Sequence, residues 1–173
     1  MEKFWAAKVD EHNENYPEHP QLEIESSLLS SHGTRTAETI NRHFPEHAMD
    51  PDAVAKFEGV LAEKYGHLSI QIPGSAKLLQ LLHKNNIKWA IVTSGSRAYF
   101  VVSFAKLLQG IEKPDIYVTA VDVTEGKPSP MGYLKGSSDL TNNNPQGKKI
   151  VIFEDAPFGI QAAIAAGFPV IGI

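Results

Sequence analysis

The stretch KKIVIFEDAPFGIQAAIAAGFPVIGI, residues 148–173, constrains the fold of this chain more than any other. An apolar run (149–153) leads into two carboxylates, Glu154 and Asp155, then a Pro-Gly turn, an apolar helical segment and a last apolar run (169–173). That order predicts buried strands joined by a helix, the unit of an open α/β sheet, where ligands bind beyond the carboxyl ends of the strands. Adjacent acidic side chains at such an end repel each other, and coordination of a hard cation by their oxygens is the usual compensation. The plainer alternative is that Asp155 caps the following helix.

The two halves of the chain differ in periodicity. Over 1–72 the pattern is helical with no convincing strand. Phe4, Trp5 and Val9 recur at helical spacing. The run His32-Gly33-Thr34-Arg35-Thr36 opens a second helix that reaches Phe44, where Pro45 stops it. Asp50-Pro51 opens a third, with Asp50 as N-cap and Pro51 in the first turn. Val54, Phe57, Leu61 and Tyr65 line its apolar face, and Gly66 is placed to end it. Pro73-Gly74 reads as a hinge. Beyond it helices (75–85, 99–109 and one starting at 130) alternate with strands (88–93, 115–120, 149–153), which predicts a parallel sheet with crossover helices. Residues 142–147 have the composition of a surface loop.

A net charge of −4 leaves no basic footprint for nucleic acid, although a local positive site can still take a small anion. With zero cysteines, a disulfide framework and a thiolate metal or redox site are excluded. No apolar run approaches the roughly 18 residues of a membrane span, and the first residues are too polar for a secretory signal. The expectation is a soluble, cytoplasmic protein with neither a nucleic-acid nor a membrane partner.

Three strand ends carry chemistry. Thr93-Ser94-Gly95 offers hydroxyls and backbone donors suited to a phosphate, or forms a plain turn. In EGKPSP, Lys127 is held between a glycine and a proline, so its ammonium can be aimed at a phosphoryl group rather than simply solvated. The third is the Glu154-Asp155 pair. One hydroxyl, one lysine and one acidic pair, in that order, resemble motifs two, three and four of the haloacid dehalogenase (HAD) superfamily. The resemblance covers nearly the whole chain. SHGTRT, TSG, EGKPSP and FEDAPFGI are most similar to fungal glycerol-3-phosphatases and 2-deoxyglucose-6-phosphatases within it.

The resemblance implies an α/β fold: a Rossmann-like parallel core over 73–173 and a small α-helical cap domain over 1–72. It implies a phosphatase acting with Mg²⁺ on a small phosphorylated polyol or sugar. Carried over by position, Thr93, Ser94 and Gly95 bind phosphate, Lys127 balances its charge, and Asp155 with Glu154 ligates Mg²⁺. Thr93 and Lys127 are the catalytic candidates. Arg35, with His32 nearby, faces the substrate from the cap. Arg35 has a physical case of its own, since its planar donor fork suits a phosphate or polyol. A helix-surface arginine and a capping or core histidine are the alternatives for those two.

The family's first motif, an Asp-x-Asp at the end of an apolar strand, supplies the nucleophile that forms an aspartyl-phosphate and the general acid and base. This chain's one Asp-x-Asp, Asp50-Pro51-Asp52, follows a polar stretch and reads as a helix cap. MEKFWAAKV resembles the helix just downstream of the first motif, so the expectation is a fragment, inactive alone. In the family the missing strand lies between those expected at 88 and 149. Its absence predicts two unpaired ladder edges and a gap with strand spacings of about 5 Å on each side. Unpaired buried backbone groups cost about 1–3 kcal/mol each, a heavy load on net stabilities of roughly 5–15 kcal/mol. A partner chain that donates a strand is the second expectation. A phosphosugar mutase lineage is the third. Neither a Gly-Lys-Ser phosphate loop nor a Gly-x-Gly-x-x-Gly fingerprint is present.

Overall fold

The computed structural model describes residues 2–47, 49–108, 110–144 and 147–173. Gln109, and Pro145 and Gln146 of the expected loop, lie outside the described residues, as does the side chain of Phe4.

The first segment is helical, as its periodicity predicts: α1 (Glu2–Asn15), α2 (Ile24–Ser31), α3 (Thr36–His43) and α4 (Pro51–Tyr65). Trp5 and Val9 of α1 meet Ile40 and Phe44 in a small core, with the Trp5 and Phe44 rings stacked at 6.0 Å. The serine-rich α2 was not expected, because its sequence carries no strong helical signal. Its approach is fixed from outside, by the Asn13 side chain, which donates to Leu22 O at 2.9 Å and accepts from Leu22 N at 2.8 Å. Helix α3 starts four residues later than the pattern suggested, since Gly33 adopts φ +87° and breaks the helical path. Asp50 caps α4 as expected, accepting from Ala53 N at 2.8 Å. Gly66 closes that helix in a right-handed conformation and passes into a short 3₁₀ turn, Gly66–Leu68.

Every described strand falls after Pro73. Helix α5 (Ser75–Lys84) precedes β1 (Ala90–Val92), and α6 (Arg97–Leu107) leads to β2 (Ile116–Val118). Helix α7 (Met131–Leu140), β3 (Ile152–Glu154), α8 (Pro157–Ala165) and β4 (Val170–Gly172) complete the α/β pattern. Strand β1 runs parallel to β2 with Ala90 opposite Ile116, and β3 runs parallel to β4 with Ile152 opposite Val170. The strands are shorter than their apolar runs because each has a partner on one edge only among the described residues. The expected Pro-Gly turn at 157–159 is the first turn of α8. No described helix is long and apolar enough to cross a membrane.

Between β1 and β3 lies a cavity of about 410 Å³, walled by both strands and bounded by Leu78, Leu79 and Leu82 of α5 and Tyr133 of α7. Val151 and Phe153 remain nearly half exposed beside it. Tyr133, Ala162 and Ala163 form the compact core on the other side, with Val92, Ile152 and Phe168 packed against them. Helix α7 approaches β1 closely because a Cβ at Gly132 or Gly136 would come within 2.9 Å of the Val92 methyl groups.

Candidate active site

Thr93 follows β1, Lys127 lies in the loop after β2, and Glu154 ends β3. The fold brings these three strand ends together. The Lys127 ammonium sits 2.6 Å from Glu154 Oε2 and 3.4 Å from the Val92 carbonyl oxygen, and 4.9 Å over the face of the Tyr133 ring. Lys127 and Glu154 side chains are only 10% and 8% exposed, so this is a nearly dry ion pair rather than a surface contact.

Glu154 and Asp155 have separate environments. Glu154 accepts from Lys127 and from the Tyr133 hydroxyl on Oε2, and from Ala156 N at 3.1 Å on Oε1. Its carboxyl packs directly on Gly159 of α8. Burial alone would raise the Glu154 carboxyl. The charge and hydrogen bond of Lys127, with the bonds from Tyr133 and Ala156, outweigh that and hold it below the usual range. The Tyr133 hydroxyl is pushed the other way, by burial and by the adjacent Glu154 carboxylate. Asp155 is about half exposed, and its Oδ2 meets His32 Nε2 at 3.4 Å. It does not cap α8, whose N-cap is Ala156.

A hard divalent cation takes six or more oxygen ligands. The described residues hold no cluster of three acidic or histidine side chains able to bind a metal. Asp155, with open oxygens at a strand end, fits such an ion as one ligand. Glu154 does not fit as its equal neighbour in this arrangement, because both of its oxygens already accept hydrogen bonds. Its evident work is to balance Lys127.

The depressed Glu154 carboxyl carries a pH prediction. Its folded pKa lies below its unfolded value of about 4.3, so its contribution to stability is complete above that value and is lost as pH falls through the folded one. Asp122 adds in the same direction: burial raises it, but the Thr119 hydroxyl and N–H, with Arg97, bring it below its usual range. Urea midpoints should therefore fall steeply below about pH 5, after a shallower decline that starts below about 6.5, where His43, held low by burial and by Arg42, begins to oppose folding. A Glu154→Gln chain should lose much of that slope; an unchanged slope would remove Glu154 from the acid response.

The Thr93-Ser94-Gly95 turn and the candidate cap residues are in contact. Thr93 N continues the ladder to Val118 O at 2.9 Å, Thr93 Oγ1 accepts from Gly95 N at 3.1 Å, and Ser94 Oγ donates to Gly33 O at 2.7 Å. Arg35 lies against the core: its guanidinium donates to Val123 O at 2.7 Å and Thr124 O at 3.1 Å. Gly126 allows this approach, since a Cβ there would stand 3.0 Å from Arg35 Nε. Arg35, Thr93, Ser94 and Lys127 enclose a cavity of about 20 Å³, room for a single water.

Tyr133 escaped the reading of the sequence. Its only signal was a polar-tipped aromatic in the helix following Lys127, and polar tips of buried tyrosines seek a partner.

The model of the family described as haloacid dehalogenase-like hydrolase matches residues 4–173. The chain is 42% identical over 159 residues to glycerol-1-phosphate phosphohydrolase 1 of Saccharomyces cerevisiae, covering 89% of this chain and 62% of that protein. It is 38% identical over 156 residues to 2-deoxyglucose-6-phosphate phosphatase 1 of the same yeast, covering 83% and 63%. The chain thus spans less than two thirds of the length of either relative. Among solved structures it is similar to CbbY from Rhodobacter sphaeroides in complex with phosphate, with a TM-score of 0.71 and 23% identity over 99% of this chain and 79% of that one. The likeness to CbbY shows the same fold, a Rossmann-like α/β core with helices before it. Convergent strand ends, fold and family model agree, and the chain belongs to the haloacid dehalogenase-like hydrolase family.

Proposed function

We propose that this chain carries the phosphate- and cation-facing side of a phosphatase for a small polyol or sugar phosphate, of the glycerol phosphate or 2-deoxyglucose 6-phosphate class, working with Mg²⁺ in the cytoplasm. The observation that carries this reading is the meeting of the Thr93, Lys127 and Asp155 strand ends, one beside another, next to Arg35. In this reading residues 1–72 act as the cap and 73–173 as the core. Thr93 and Ser94, with the Gly95 backbone, hold the phosphoryl oxygens and Lys127 supplies positive charge. Glu154 keeps Lys127 in place, and Asp155 holds the cation. Arg35 and His32 meet the rest of the substrate once the cap has opened to admit it. A bound Mg²⁺ would supply charge neutralisation at the phosphoryl oxygens.

No described strand of this chain ends in Asp-x-Asp; Asp50-Pro51-Asp52 opens α4 instead. The proposal is therefore that these residues alone do not turn over. The cavity of about 410 Å³ between the unpaired edges of β1 and β3 favours a companion reading: an extended apolar segment bearing the nucleophile enters there, parallel to both. Mg²⁺-dependent phosphate release from glycerol 3-phosphate and 2-deoxyglucose 6-phosphate tests both, using the chain alone and the chain supplied with such a strand, as a peptide or by upstream extension. Release only with the strand, abolished by Lys127→Ala, is expected. Lys127-dependent release by the chain alone would overturn the inactivity claim. Silence in every form would overturn the phosphatase reading, and an isomerised sugar phosphate in place of free phosphate would indicate a mutase.

A further inference from the structure

Glu58 has no part in the site as described, yet it is a carboxylate only 3% exposed, set in the middle of α4. A buried carboxylate without donors is costly, so its partners reveal what it holds. Both oxygens are engaged. Oε2 accepts from the Ser96 backbone N–H at 2.6 Å, and Oε1 accepts from the Thr36 hydroxyl. Ser96 and Thr36 are themselves buried, at 4% and 8% exposure.

Each donor stands next to a residue of the proposed site. Ser96 ends the turn that begins with Thr93 and Ser94, and is the N-cap of α6. Thr36 opens α3 directly after Arg35, whose guanidinium grips the carbonyls of Val123 and Thr124 ahead of Lys127. Two more contacts keep α4 seated on α6. Lys106 Nζ donates to Ala62 O at 2.8 Å and to Glu63 O at 3.2 Å.

The N-terminus of α6 would otherwise be the natural seat for an anion after a turn of this kind. Glu58 takes the Ser96 N–H for itself. That leaves the Thr93 hydroxyl and the Lys127 ammonium as side-chain donors beside the turn, the Ser94 hydroxyl being given to Gly33 O.

We propose that Glu58 is a positioning residue for the phosphate turn. It sets the turn through Ser96 N–H and ties that setting, through Thr36, to the segment carrying Arg35. The proposal rests on the phosphatase reading for what the turn binds, but not for the lock itself.

The test is amide hydrogen exchange on the full chain in wild-type, Thr36→Val, Thr36→Ser and Glu58→Gln forms, with calorimetric binding of inorganic phosphate alongside. Thr36→Val removes a hydroxyl that does not touch Ser96. It should nevertheless speed exchange of the Ser96 amide about tenfold, the factor expected when a bond to a charged group is lost, while the amides of β2 stay unchanged. Thr36→Ser should restore protection, and Glu58→Gln should loosen Ser96 and the first turn of α3 together. Unchanged Ser96 exchange in Thr36→Val would overturn the coupling and leave Glu58 a local cap of α6. Uniform acceleration, β2 included, would show a general packing role and overturn it too. Absence of phosphate binding by the wild-type chain counts against the phosphatase reading, while the exchange comparison still decides the role of Glu58.

Discussion

Replacing Glu154 by alanine is expected to destabilise this chain by about 3–5 kcal/mol, the cost of removing one partner from a buried ion pair. The change leaves the Lys127 ammonium, 10% exposed, with the Val92 carbonyl and the Tyr133 ring as its contacts among the described residues, and leaves the Tyr133 hydroxyl without its acceptor. Against a net stability of roughly 5–15 kcal/mol, such a loss is close to unfolding the core. Urea denaturation measures it directly. Because the penalty comes from the stranded charge, the combined Lys127→Met, Glu154→Leu and Tyr133→Phe chain should recover most of the loss. A single Glu154→Ala chain within about 1 kcal/mol of wild type would mean that the pair behaves as a surface contact.

The Gly159→Ala chain should also lose stability, against its local propensity. Alanine in a helix is favoured over glycine by about 1 kcal/mol, and Gly159 lies inside α8. A Cβ at that position, however, would fall on the Glu154 carboxyl carbon and both of its oxygens. Backbone holds α8 on one side, so the carboxylate must leave Lys127 and Tyr133. Overpacking of this kind costs about 1–3 kcal/mol, and the disrupted ion pair adds to it. The net expectation is a loss of about 2 kcal/mol or more. Adding Glu154→Asp, which withdraws the carboxyl from α8 by one methylene, should make the two changes non-additive. Strict additivity in that cycle would show that Gly159 matters only for its helix.

These outcomes separate what local pattern can reveal from what it cannot. The strand-to-carboxylate run at the C-terminal end, the lysine in EGKPSP and the Thr-Ser-Gly turn marked three strand ends, and the structure brings them together, although among the described residues the expected single parallel sheet is two separate pairs, β1 with β2 and β3 with β4. Helix α4 was legible to its N-cap, since Asp50-Pro51 is a signal confined to adjacent residues. Helix α2 was not, because its packing depends on the Asn13 side chain of another helix. The strands were located but drawn too long, as apolar runs report burial while strand length depends on a partner's edge.

By itself the sequence determined the alternation of helix and strand, the ends that carry polar groups, and the family. Those are properties of neighbouring residues: period, cap and spacing. Only the tertiary structure decided that Glu154 serves Lys127 and Tyr133 while Asp155 faces outward to His32. It also decided that Arg35 grips the core backbone, and that Glu58 joins Thr36 to Ser96. Two adjacent carboxylates are chemically alike along the chain. They part company because one lies 2.6 Å from an ammonium in a dry pocket and the other is half in water, distances set by how separate elements pack.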